Sequence, residues 1–282
     1  SKRKENENKT MTMEATSAGD AMLDMFKLTG DSLYLNHALG IADTYVRLQA
    51  SDGSLPVKMD YTTGKPVNDS KAMLHPLLRF FQRFENELNI TRYAQAKAKA
   101  EDWMDKTALS RFEMAGQFED ISVLGLKPYE NLTNCTAAPY ASYLLSKAQV
   151  TDTDLQNAID LTRFSEDQFT YWNTTPNEDG MMRDATPCVY EQYKYQTSVD
   201  ASASNVADAM LALYKATGDQ LYLAKGTALV DNFSHVQDKL SGKIPTIWDF
   251  HMGKAEQKRP YWINCTYATV NTLLKYNDLL NQ

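Results

Sequence analysis

The stretch "DAMLDMFKLTGDSLYL", Asp20–Leu35, returns as "DAMLALYKATGDQLYL", Asp208–Leu223, at an offset of 188 residues. The agreement runs on through Gln49 and Gln237. After one inserted residue, "LPVKMD" (Leu55–Asp60) stands against "IPTIWD" (Ile244–Asp249). Self-similarity at a fixed spacing is the mark of stacked supersecondary units. Inside the first copy, Met22, Leu23, Met25, Phe26 and Leu28 recur at helical spacing. Gly30 falls where a helix end favours a left-handed residue, and Asp31 can then cap the next helix, which carries Leu33, Leu35, Leu39 and Val46. Thr217-Gly218-Asp219 reads the same way. "TGD" is therefore a corner between two helices, and Asp31 and Asp219 are structural.

Working outward, further helix pairs follow. Residues 71–89 and 92–107 are expected as one pair around "NIT", and 136–149 and 154–172 as another around "VTDT". Residues 266–280 make a last helix without a visible partner. After each second helix comes a long loop with Gly or Pro, an aromatic or Met, and an Asp: Asp60, Asp120, Asp184 and Asp249, spaced 60, 64 and 65 residues apart. The following helices are expected to start near Asp69, Asn134, Ser198 and Asn264. A second phrase obeys this period. "NCT" occurs at Asn134–Thr136 and at Asn264–Thr266, each before an apolar helix. Asn is expected to cap the helix, with small residues following because that turn lies close to its neighbours. Facing a ligand at the helix start is the other reading of both Asn residues.

Composition narrows the function classes. The chain of 282 residues has 43% hydrophobic and 23% charged residues and a net charge of −7. That acidic balance argues against a phosphate-tracking nucleic-acid binder. No apolar run approaches the roughly 18 residues of a membrane span. No apolar stretch follows the basic start "SKRKENENKT", so no signal peptide is read there. The three cysteines, Cys135, Cys188 and Cys265, do not make a disulfide framework. Residues 1–12 read as a polar tail and 13–282 as a single domain.

Units of about 64 residues with one long and one short connection suit an all-α fold of tandem helical hairpins, closed into an (α/α) toroid or part of one. All the long loops then fall at one end, around one mouth of a central cavity. Here the sequence resembles the six-hairpin glycosidase-like toroids. The residues that carry the likeness are the "TGDxLYL" corner, the downstream "LQ" or "VQ", then "DGSLP" or "SGKIP", then "MD" or "WD". "SVDASASNVADAMLAL" (Ser198–Leu213) is similar to the inner helix of unsaturated glucuronyl and rhamnogalacturonyl hydrolases. The visible count departs from that family, with five first helices and four second helices rather than six pairs.

The resemblance implies a carbohydrate substrate with Asp or Glu as acid and base. Glycoside cleavage independently calls for a protonated carboxyl at the leaving oxygen and a second carboxylate for water or attack. The loops offer Asp249, Asp184 and Asp120 as catalytic candidates. Asp249 ranks first: Trp248 and Phe250 flank it, and desolvation there would raise its pKa and suit it to donate a proton. Trp248, Trp262, Trp172 and Tyr129 could stack on sugar rings, Arg183, Arg259 and Lys254 could hold a uronate carboxylate, and His251 and Asn264 complete the expected binding set. His75 reads as a core or first-turn histidine, and His37 and His235 as peripheral.

The expected function is a glycoside hydrolase acting on an acidic, uronic-acid-containing oligo- or polysaccharide, without cofactor or metal. A polysaccharide lyase using Tyr261, Tyr190 or His251 as base, with Asn264 and Arg259 neutralising the uronate, is the alternative, as is an inactive glycan-binding toroid. A zinc site of Cys135, Cys265 and His251 is disfavoured because the two cysteines repeat with the helix period and no Cys-His-Gly stretch is present. The expected partner is a saccharide, with no nucleic acid and no membrane span. A polysaccharide-degrading role suggests an extracytoplasmic location.

Overall fold

The computed structural model of the chain describes residues 6–110, 133–172, 186–193, 198–249, 254–256 and 261–281. Among these residues the protein is built of helical hairpins with short strands between them. The order is β1 (Lys9–Met11), α1 (Thr12–Thr29), α2 (Ser32–Leu48), β2 (Lys58–Asp60), α3 (His75–Leu88) and α4 (Ala94–Trp103), which runs into a π-helical segment, Met104–Leu109. Then come α5 (Asn134–Leu145), α6 (Asp152–Phe169), β3 (Thr170–Tyr171), β4 (Cys188–Val189), β5 (Ser198–Val199), α7 (Asp200–Thr217), α8 (Gln220–Val236), β6 (Ile247–Asp249), β7 (Lys254–Ala255) and α9 (Ile263–Leu280). No helix among the described residues is long and apolar enough to cross a membrane.

The repeated stretch forms the expected corner twice. Gly30 ends α1 in the left-handed region (φ 70°), and its N–H donates to Phe26 O. The Asp31 carboxylate then accepts from Leu33 N. In the second copy Gly218 has φ 73°, and Asp219 accepts from Leu221 N. The open end of each hairpin is closed by antiparallel pairing of the chain that enters the first helix with the chain that leaves the second. Thr10 lies opposite Met59 in β1–β2, and Ser198 lies opposite Trp248 in β5–β6. Even the turn glycine is held alike, since Gln49 Nε2 donates to Gly53 O at 3.0 Å and Gln237 Nε2 to Gly242 O at 2.7 Å.

The chain divides into two compact units. In the first, which carries α1 to α4, α1 packs on α2 and on α3. The core is aromatic, with Phe84 and Tyr93 rings 4.9 Å apart. Gly19 permits the close α1–α3 contact, because a Cβ there would stand 2.5 Å from Phe80 Cζ. Arg83 of α3 clamps α1 by reaching Asp20 at 3.2 Å and Asp24 at 2.6 Å. In the second unit α5, α7 and α9 pack in succession, with α6 and α8 as the outer partners of α5 and α7. Asp208, the counterpart of Asp20, holds the next inner helix in the same way, accepting from Thr272 Oγ1 at 2.8 Å and pairing with Lys275 of α9. The face of α9 opposite this seam exposes Ile263, Tyr267, Val270 and Leu274.

Two expectations are corrected. The helix placed near Asp69 starts six residues later, at His75. The intervening backbone is used in extended pairing: Val57 N donates to Ser70 O and Ala72 N to Leu55 O. Pro76, with no N–H to lose, then suits the first helical turn. Nor does Asn cap either "NCT" helix. Thr133 is the cap of α5, extended at φ −147°, with its hydroxyl accepting from Cys135 N. Trp262 precedes α9 and makes no side-chain cap.

Candidate functional site

Among the described residues of the second unit, the buried polar side chains of Thr133, Asn134, Gln192, Ser198 and Ser202 lie where α5 and α7 begin. The start of α5 grips the segment that precedes α7. Thr133 Oγ1 donates to Glu191 O at 2.7 Å, Asn134 N donates to the same oxygen at 3.3 Å, and Asn134 Nδ2 donates to Tyr190 O. Asn134 is fully buried, and its Oδ1 has no hydrogen-bond partner. Beside it, Cys135 Sγ lies 4.0 Å from Glu191 Oε1 and 3.8 Å from Ser202 Oγ of α7. Burial, reinforced by the Glu191 charge, pushes the Cys135 thiol up to about 12. The thiol is therefore protonated at neutral pH and is a weak donor, not a nucleophile.

Backbone register ties this corner to β6. Tyr190 lies opposite Ser198, and Ser198 lies opposite Trp248. Both pairings are antiparallel, so the segments of Tyr190 and Trp248 run the same way. The next residue on each, Glu191 and Asp249, consequently falls on one line across the strip, two strand spacings or about 10 Å apart along the backbone. On its other side Asp249 is paired with Lys254 of β7. Glu191 is half-buried, with Oε1 4.0 Å from the Cys135 thiol.

The other expected site residues fall as follows. Asp184, Asp120, Tyr129, Arg183, Arg259 and His251 lie outside the described residues, and Asp249 is described by its backbone alone. Trp248 is half-buried against Val236 and Ile244, with a buried Nε1 that has no partner. Trp262 is half-exposed, its backbone N–H donating to Thr246 Oγ1 at 2.5 Å, and Asn264, two residues on, is exposed. Trp172 is tied to the outer helices: its Nε1 donates to Glu166 Oε1 at 3.0 Å, and the Lys225 ammonium of α8 lies 5.8 Å from its ring centre while pairing with Glu166. Tyr190 is buried with its hydroxyl pKa raised, which favours the phenol over the phenolate a lyase base requires. Asp60, at the counterpart of Asp249, caps its own exposed turn by accepting from the Thr62 and Thr63 amides at 3.0 and 2.9 Å.

Sequence reading did not single out Glu191 or Ser202. Glu191 stands in the loop richest in acids, but the period points to Asp184 there. Only the bridge from Tyr190 to Ser198 sets it in line with Asp249. Among the described residues no group of three or more His, Cys, Asp or Glu is arranged to hold a metal ion.

No protein-family model matches the chain, and no curated protein sequence does. Solved structures do. A D-mannose isomerase superposes with a TM-score of 0.73 at 12% identity, over 96% of this chain and 72% of that one. A cellobiose 2-epimerase of Spirochaeta thermophila gives 0.69 at 11% identity, over 97% and 72%. A GH76 α-mannanase of Bacteroides thetaiotaomicron gives 0.67 at 13% identity, again over 97% and 72%. At such identities likeness speaks for architecture alone, and with the repeated hairpins it identifies the chain as having the (α/α)-toroid fold that these structures share.

Proposed function

We propose that the protein is a carbohydrate-active enzyme, a glycoside hydrolase that cleaves an acidic saccharide with Glu191 and Asp249 as its carboxyl pair. The observation that carries this reading is their common line across the strip, about 10 Å apart along the backbone. Side chains of this length starting from that spacing can bring their carboxyl groups to the roughly 6.5–9.5 Å of enzymes that admit a water between acid and base. Glu191, whose backbone is held by the start of α5, takes the acid role in this reading and donates its proton to the glycosidic oxygen as that bond breaks. Asp249, opposite Lys254 in the strand register, takes the base role and accepts a proton from the water that attacks the anomeric carbon. Lys254 is the cation within reach for a uronate carboxylate, with Arg183 and Arg259 as further candidates from the sequence. The solved structures of similar fold support a saccharide substrate through what their names say they act on: mannose, cellobiose and mannan.

The test is a panel of neutral and uronic-acid oligosaccharides, read for new reducing ends and for the absorbance of an unsaturated uronate. Hydrolysis gives reducing ends alone. An absorbing product would make the enzyme a lyase, and isomerised sugar without cleavage would make it an epimerase.

A further inference from the structure

The first unit holds a cleft of about 340 Å³ between α1, α2, β1 and β2, within the roughly 300–1,000 Å³ usual for small-ligand sites. Its lining is apolar at Ala15, Ile41 and Met59 and polar at Thr10, Asn36, His37 and Thr44. No Asp, Glu, Lys or Arg lines it. The Tyr45 hydroxyl, also in the wall, is already committed to Thr12 O.

The second copy of the hairpin shows why this space is open. Met59 is the counterpart of Trp248, since they occupy the same place opposite Thr10 and Ser198. Gly40 is the counterpart of Ala228, and a Cβ on Gly40 would meet nothing within 4 Å. Ile41 and Thr44 answer to Leu229 and Asn232, both buried in the second copy. An indole and tightly covered side chains thus stand at the positions where the first copy has a thioether, a bare helix face and hydrogen-bonding side chains in an open wall.

We infer that this cleft is a second binding site, for a neutral saccharide. Apolar side chains in the wall suit the C–H face of a pyranose ring, and the hydroxyl, amide and imidazole groups beside them suit its hydroxyls. The absence of Lys and Arg from its lining disfavours a uronate or a phosphate there. The site is independent of the proposed carboxyl pair in the other unit.

Methionine-methyl NMR tests it directly. Protein labelled at the methionine methyls is titrated with cellobiose and with D-mannose, and the Met59 signal is identified from its loss in Met59→Leu. A saturable shift of that signal with at least one sugar is expected. Gly40→Leu should abolish the shift while leaving the other methionine signals in place as proof of folding. Met59→Trp, which borrows the residue of the second copy, should weaken sugar binding by calorimetry at least tenfold. Glu191→Gln should leave the Met59 shift unchanged. A Met59 signal that no sugar moves, that drifts without saturating, or that moves equally in Gly40→Leu overturns the site. A signal that moves with protein concentration alone overturns it in favour of a second copy of the chain as occupant.

Discussion

The α1–α2 and α7–α8 hairpins are two printings of one sequence, and they agree wherever backbone must be held and differ wherever space must be filled. Both turn at a left-handed glycine and an Asp cap. Both close their open end with a strand pair, and both tie the next inner helix to the Asp at the same place. The differences are of volume: Gly19 against Ala207, Gly40 against Ala228, Met59 against Trp248. What repeats is scaffold. What does not repeat marks the crowding, or the opening, peculiar to one copy.

The turn glycines test this most severely. Gly53 (φ 90°) and Gly242 (φ 70°) are counterparts, but a Cβ on Gly53 would stand 2.1 Å from Lys99 O, while on Gly242 its nearest neighbour is 3.9 Å away. Gly53→Ala should cost ~4 kcal/mol of unfolding free energy, since neither backbone can yield. Gly242→Ala should cost only ~1 kcal/mol for the left-handed conformation. Equal losses in chemical denaturation would break the comparison.

The starts of α3 and α5 give the next largest effect. His75 is buried, with Nδ1 unpartnered, and desolvation lowers its pKa to about 3. Asn134 holds the first position of α5, where nothing titrates. The unfolded imidazole titrates near 6.5, so between pH 6.5 and 3 the unfolded chain binds more protons than the folded one. The stabilisation is complete above about pH 6.5 and is lost as the pH falls, by ~3 kcal/mol at pH 4. His75→Asn should flatten that acid limb in melts across pH. An unchanged limb would mean that the imidazole is solvated.

A smaller contrast separates Gly19 from Ala207. Gly19→Ala drives a methyl into the Phe80 ring and should cost ~1–3 kcal/mol. The reverse change, Ala207→Gly, should cost ~1 kcal/mol, from backbone entropy. The smallest effect should be a sameness: Asp31→Ala and Asp219→Ala each remove one cap bond and should each cost ~1 kcal/mol.

The hairpins were legible in the sequence because helix period, left-handed glycine and Asp cap act over a few residues. The start of α3 was not. Residues 70–72 pair with the segment around Leu55–Val57, a contact that helix period does not report. The "NCT" phrase misled for a related reason. Thr133 caps one residue before Asn134, whereas Trp262 stands two before Asn264, so one Asn is buried and the other exposed. Asp249 was picked out by its place in the period. Glu191 has no periodic mark and is set in line with Asp249 only by strand register.

The central claim is that Glu191 and Asp249 act as a pair, and activity of Glu191→Gln and Asp249→Asn on whichever oligosaccharide the wild type cleaves tests it most directly. Each variant keeps its shape but cannot exchange a proton. Each should lose roughly two to four orders of magnitude in kcat, with a melting temperature close to wild type. Wild-type turnover in both folded variants would contradict the pair and return the chemistry to Asp184 or Asp120.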